Sequence, residues 1–184
     1  LKLLIAYSTV AQIGYLFLIF PLALDASAQL QGSGALTGGI VQAISHATAK
    51  AAMFMAAGLI YAALGHDRIA ELGGVARALP MTIFAFALGG VSLIGLPPSG
   101  GFLAKWILLQ ATVATGQWWW ALVILAGGLF TSAYMFIVLS RAVAPSIGPL
   151  KLQTTVPKYQ EAAALALALT SLLLFFFAPL AVWS

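Results

Sequence analysis

The sequence contains no cysteine and very little charge. Without cysteine there is no disulfide framework, thiolate zinc site or iron–sulfur cluster. Only 7% of the 184 residues are charged, with 8 Lys and Arg against 4 Asp and Glu. A soluble domain is usually about 25% charged. This chain therefore cannot cover its own surface with water-compatible side chains. That excludes a soluble globular enzyme, a disordered tail and a nucleic-acid-binding domain. The net charge of +4 reflects a shortage of acids, not a basic patch. No G-x-G-x-x-G follows a strand, so no dinucleotide site is expected. One histidine at membrane depth cannot supply bis-histidine haem ligation. No metal or cofactor is expected in this chain.

What the sequence has in abundance is apolar length: 62% of its residues are hydrophobic. Crossing the ~30 Å hydrocarbon core takes roughly 20 such residues. Spans are expected at about 3–24, 36–64, 79–116, 117–140 and 160–183, within a single transmembrane domain covering 1–184. Asp25 to Ala35, Gly65 to Ala78 and Arg141 to Tyr159 read as loops. The stretch Leu79–Gly116 is interrupted by Pro97-Pro98-Ser99-Gly100-Gly101. As one straight helix it would be about 57 Å long at ~1.5 Å per residue, too long for a single regular crossing.

Loop charge decides how this stretch crosses. If it crosses once, Lys2, Arg68, Arg77, Arg141, Lys151 and Lys158 share one side, and the other carries only Asp25. The positive-inside rule then places the loops 65–78 and 141–159 in the cytoplasm. Trp118, Trp119, Trp120 and Trp183 fall at the opposite interface, where aromatic anchors belong. The expected fold is an all-α polytopic bundle with five crossings, the third discontinuous. The chain opens on Leu1 and runs directly into a span, which suggests a piece of a larger subunit.

Two cations remain at membrane depth, Lys50 and Lys105. A lysine at the bilayer centre costs about 2.5–3.5 kcal/mol on insertion scales and is a functional candidate by default. Gln42, His46 and Lys50 are spaced i, i+4, i+8, so they stack on one helix face about 6 Å apart. Histidine titrates near neutral pH, so the stripe could pass protons, with waters between its members. Lys105 follows the break. Pro97 and Pro98 each remove a backbone donor, and Gly100 and Gly101 open backbone conformations closed to other residues. Discontinuous helices of this kind mark ion sites in transporters. Lys105 then stands between the positive end of one half-helix and the free carbonyls of the other. Ser8, Gln12 and Tyr15 share a face of the first helix and could line the path, although polar glue between helices is the more ordinary use. Thr131, Ser132 and Tyr134 read as polar glue between helices. Gly58, Gly89, Gly90, Gly127 and Gly128 read as close-packing points. No carboxylate at depth is placed to neutralise either lysine.

Four segments resemble the proton-conducting antiporter-like subunits of respiratory complex I and of multisubunit cation/proton antiporters. Lys2 with Ala6-Tyr7-Ser8, Gln12 and Gly14-Tyr15 is similar to that family's LK…AYS-x-x-x-Q-x-GY helix. His46-Ala47-Thr48-Ala49-Lys50-Ala51 is similar to its H-A-x-x-K-A helix. Glu71-Leu72-Gly73-Gly74-Val75 with Leu79-Pro80 is similar to its ELGG loop. Gly95-Leu96-Pro97-Pro98-Ser99-Gly100-Gly101-Phe102-Leu103-Ala104-Lys105 is similar to its GLPP-x-x-GF-x-x-K broken helix. The resemblance implies one of two inverted five-helix repeats, with a preceding N-terminal half elsewhere in the subunit. It implies a proton-relay role for His46 and Lys50, an exit-side role for Lys105 and an entrance position for Lys2. Gln42 stands where some relatives carry histidine. The implied function is proton translocation in the bacterial inner membrane, with other membrane subunits and lipid as partners. No redox centre is expected in this chain; the driver would be an NADH dehydrogenase-type (quinone) oxidoreductase or exchange against Na⁺. A scaffold without an ion path and a secondary transporter for a small solute remain as alternatives.

Overall fold

The computed structural model describes residues 1–23, 33–146 and 152–182. Asp25, Lys151 and Trp183 lie outside the described residues. The described residues form helices and contain no strand. In order they are α1 (Lys2–Phe17), α2 (Ile19–Ala23), α3 (Ser33–Leu64), a 3₁₀ turn (Ile69–Glu71), α4 (Val75–Ala78), α5 (Pro80–Ile94), α6 (Gly100–Ala114), α7 (Trp119–Val143) and α8 (Lys158–Val182). α1 with α2, α3, α7 and α8 are long and apolar enough to cross a membrane, whereas α5 and α6 are shorter apolar helices. The protein is an integral membrane protein. Helices are the expected solution because lipid leaves no partner for an unpaired backbone group.

Local chemistry explains where the helices stop. Pro21 has no N–H to give Phe17, the residue at which α1 ends. α5 starts with Pro80 in its first turn, where the missing donor costs nothing. It ends at Gly95, whose left-handed φ of 87° no β-carbon would favour. α6 is capped by Ser99, whose Oγ accepts from the Phe102 N–H at 3.1 Å.

α3 is the axis of the bundle, packed by α1, α2, α5, α6 and α8. Contacts along it fix the path of its neighbours. Gly89 of α5 lies against Ala49 and Met53, and Ser92 bonds Ser45. Gly38 of α3 lies against Leu108 of α6. The two half-helices therefore follow α3 in one direction and make one discontinuous crossing, as the loop charges indicated. α8 runs beside them, with Glu161 at Thr82 and Ser171 at Ser92.

The ends of the bundle differ. Lys2 lies over the Tyr61 ring, Gln153 bonds Ala63, and Gly74 bonds Ala144, so the Arg68, Arg77, Arg141 and Lys158 segments gather at one end. Gln117 bonds Pro21 at the other end, beside Trp118, Trp119 and Trp120.

Three expectations change. The irregular backbone runs from Gly95 to Ser99, and Gly100 and Gly101 belong to the first turn of α6. These two glycines serve close approach: a β-carbon on Gly101 would overlap the Ser92 carbonyl oxygen. Arg141 and Lys158 stand in terminal helical turns, not in a loop. Gly58 is not a packing point among the described residues, where nothing lies within 4 Å of the place its β-carbon would take.

Candidate functional site

The bundle interior carries two buried ammonium groups. Lys50 of α3 donates to the Ile5 carbonyl at 2.6 Å and to Ser8 Oγ. Lys105 of α6 donates to the Leu93 carbonyl at 2.8 Å and the Ile94 carbonyl at 2.9 Å. Those two carbonyls close α5 and lack the helical partners that a continuing chain would give them. The helix break thus creates the acceptors, and Lys105, reaching back from the next half-helix, fills them. Gly95 lets its stem pass: a β-carbon there would stand 2.7 Å from Lys105 Cδ.

Neither lysine is paired with a carboxylate among the described residues. An ammonium bound only by neutral oxygens keeps those oxygens satisfied at modest cost when it gives up its proton. A carboxylate partner would instead be left as an uncompensated buried charge. The arrangement is therefore compatible with a lysine that cycles between charged and neutral forms.

α1 ties the two lysines together. Ser8, Gln12 and Tyr15 form one buried face of that helix. Ser8 holds Lys50. Gln12 Nε2 donates to the Leu93 carbonyl at 3.3 Å, the same oxygen that accepts from Lys105, and to Thr131 Oγ1 at 3.1 Å. The Gln12 carbonyl oxygen in turn accepts from Gln42 Nε2 at 3.3 Å. Gln42, His46 and Lys50 share a face of α3 but do not bond one another. Gln42 turns to Gln12, and Lys50 to Ile5 and Ser8. Both ring nitrogens of His46 and the Gln42 carbonyl oxygen are buried with no hydrogen-bond partner among the described residues. Buried polar atoms are almost always bonded to protein or to ordered water. His46 thus marks where a polar partner belongs, on α3 between the Gln42 and Lys50 contacts.

The remaining candidates are more peripheral. Lys2 lies at the cation-rich end with its ammonium 4.1 Å from the centroid of the Tyr61 ring. Pro97 and Pro98 form the break itself, through a cis peptide bond. Asp67 in the neighbouring loop accepts from the Lys2 backbone N–H at 2.9 Å, and that bond holds its carboxyl below the usual carboxylate range. Thr131 joins the Gln12 network, whereas Ser132 bonds Leu129 of its own helix.

Two features were not visible in the sequence. Glu161 reads as an acid at a helix start, yet it is fully buried. Its carboxylate accepts from the Thr82 N–H at 3.2 Å and the Thr82 hydroxyl at 2.9 Å, so α8 caps the first turn of α5 in trans. Lys158 closes the ion pair at 2.9 Å. The signal was an acid next to an apolar run, with a lysine three residues before it. The second feature is a cluster of three buried hydroxyls, Ser45, Ser92 and Ser171, from three different helices, with contacts of 2.7 to 3.3 Å. Ser92 also accepts from Gly101 N–H at 3.3 Å, so the cluster sits at the break. No spacing rule joins three helices, and only the packed bundle shows it.

Comparison with known proteins gives the chain's family. Residues 1–131 match the family described as NADH:quinone oxidoreductase/Mrp antiporter, TM. The chain is 35% identical over 139 residues to NADH-quinone oxidoreductase subunit N of Desulforudis audaxviator, covering 76% of this chain and 26% of that protein. It is 34% identical over 138 residues to NADH-quinone oxidoreductase subunit L of Pseudomonas aeruginosa, covering 74% of this chain and 21% of that protein. The chain thus spans about a quarter or less of the length of these relatives. A chain in the structure of the Mrp complex from Dietzia sp. superposes with a TM-score of 0.81 at 26% identity, covering 96% of this chain and 40% of that one. The match to the family model covers both lysines, His46 and the broken helix, and on it this chain belongs to the NADH:quinone oxidoreductase/Mrp antiporter transmembrane family.

Proposed function

We propose that this chain forms part of a proton-translocating path through an antiporter-like subunit, with His46, Lys50 and Lys105 as the groups that carry the proton. The observation behind this reading is the pair of buried ammonium groups whose hydrogen bonds, among the described residues, all go to neutral carbonyl and hydroxyl oxygens. A structural lysine in a membrane gains most from a carboxylate partner, whereas a proton carrier needs acceptors that survive its deprotonation. His46, one helical turn from Lys50, supplies a second titratable group whose ring nitrogens have no hydrogen-bond partner among the described residues. The proton would pass between the lysines through His46 and bridging waters, along the buried face of α1.

The segment works within a larger assembly on this reading: a preceding half of the same subunit, further membrane subunits and the lipid bilayer. The relatives' greater length and their names as complex subunits support this. The cation-rich end faces the cytoplasm of a bacterial inner membrane, by the positive-inside rule. No redox step occurs in this chain; the drive comes from elsewhere in the assembly.

The test is proton translocation by Lys50→Ala and Lys105→Ala in the assembled protein, in membrane vesicles, with subunit assembly measured in parallel. Loss of translocation at normal assembly supports the relay. Unchanged translocation would leave a scaffold role. Binding of a small solute at the break, read by thermal shift, would point to a solute transporter instead.

A further inference from the structure

An ammonium has three N–H bonds to place. Lys105 gives two of them to the Leu93 and Ile94 carbonyls. The same nitrogen lies 5.1 Å from the centroid of the Tyr15 ring, within the ~6 Å reach of a cation–π contact. We propose that Tyr15 is a positioning residue for Lys105, its ring face serving as the third partner of the ammonium. This rests on the relay reading above and gives a definite task to a residue that the sequence placed only on a face that could line the path.

Three observations carry it. Tyr15 is almost wholly buried, so water does not compete for the cation. Its orientation is fixed from a third helix: the hydroxyl donates to the Ile124 carbonyl of α7 at 3.4 Å. α7 is cut to fit, because Gly127 lies against that hydroxyl and a β-carbon there would collide with it. The chemistry also suits a proton carrier. A ring face attracts a cation but does not take up its proton, so Tyr15 holds the charged form without competing as a base. The carbonyls and the ring together define one position for the ammonium at the break.

The experiment replaces Tyr15 with phenylalanine and with mono-, di- and trifluorinated phenylalanine in the assembled protein, and measures proton translocation and assembly. Fluorine withdraws charge from the ring face with little change in volume. A packing role would leave the series flat. Tyr15→Phe keeps the ring face but loses the hydroxyl's hold, so it sets the reference level, and translocation should fall from that level with each fluorine, by about two- to thirtyfold across the series. If Tyr15→Phe fails to assemble, fluorinated tyrosines give the same comparison with the hydroxyl kept. A flat series, with Lys105→Ala inactive, overturns the role of Tyr15 and leaves the relay standing. A Lys105→Ala protein that translocates normally overturns both.

Discussion

Replacing Gly101 with alanine adds one methyl group at the tightest point of the helix break. Its β-carbon would overlap the Ser92 carbonyl oxygen and stand 2.9 Å from the carbonyl carbon. The obstacle is backbone, so no side-chain rotation relieves it. Close-packed interiors do not absorb such an overlap, and α6 must move away from α5 by roughly 1 Å. Overpacking of this kind costs about 1–3 kcal/mol. The same movement pulls Lys105, one turn further along α6, away from carbonyls now 2.8 and 2.9 Å distant. Hydrogen bonds to a charged group are worth about 1.5–3 kcal/mol each, so loss of one adds a cost of the same order as the packing cost, and loss of both a larger one. Gly58→Ala is the matched control. Its β-carbon meets nothing within 4 Å among the described residues, and alanine improves a helix interior by about 0.5–1 kcal/mol. Thermal unfolding of the detergent-purified protein and proton translocation in vesicles should separate the two: Gly101→Ala lower in both, Gly58→Ala unchanged or slightly more stable. If Gly101→Ala behaves like Gly58→Ala, the tight contact at the break does not position Lys105, and the argument from its geometry fails.

Two predictions concern the cation-rich end. Glu161→Ala leaves the Thr82 N–H and hydroxyl without their acceptor and should cost about 2–4 kcal/mol, measured by thermal unfolding, whereas Glu161→Gln retains an acceptor and should lose less. Asp67 predicts a pH dependence. Its folded carboxyl lies below the ordinary 3.8, so its stabilisation is present above that pH and is lost as pH falls through the lower, folded value. The melting-temperature gap between the protein and Asp67→Asn should therefore be full at neutral pH and close only in acid below 3.8; a gap that closes near neutrality would contradict this.

The crossings were legible because lipid makes a severe demand on sequence: each span must be long, apolar and helical. The break was legible because Pro97 and Pro98 cannot continue a helix. The role of Gly100 and Gly101 was not, since glycine permits both unusual backbone angles and close approach, and only packing against Ser92 and Ser171 distinguishes them. Helical spacing placed Gln42, His46 and Lys50 on one face, but not their partners, because side chains at i and i+4 reach outward as readily as towards each other. Gln42 is bonded from α1, as Lys50 is. The depth of Glu161 was hidden for a related reason: a charge in the first turn of a helix looks solvated until a neighbouring helix covers it.

The central claim is that Lys50 gives up and regains a proton. Lys50→Arg in the assembled protein tests it directly, because a guanidinium keeps the positive charge and its donors but does not deprotonate in a protein. Proton translocation in vesicles, at matched assembly, should be as low for Lys50→Arg as for Lys50→Ala. Restoration of translocation by arginine would show that a fixed charge is enough, and would contradict a relay through this lysine.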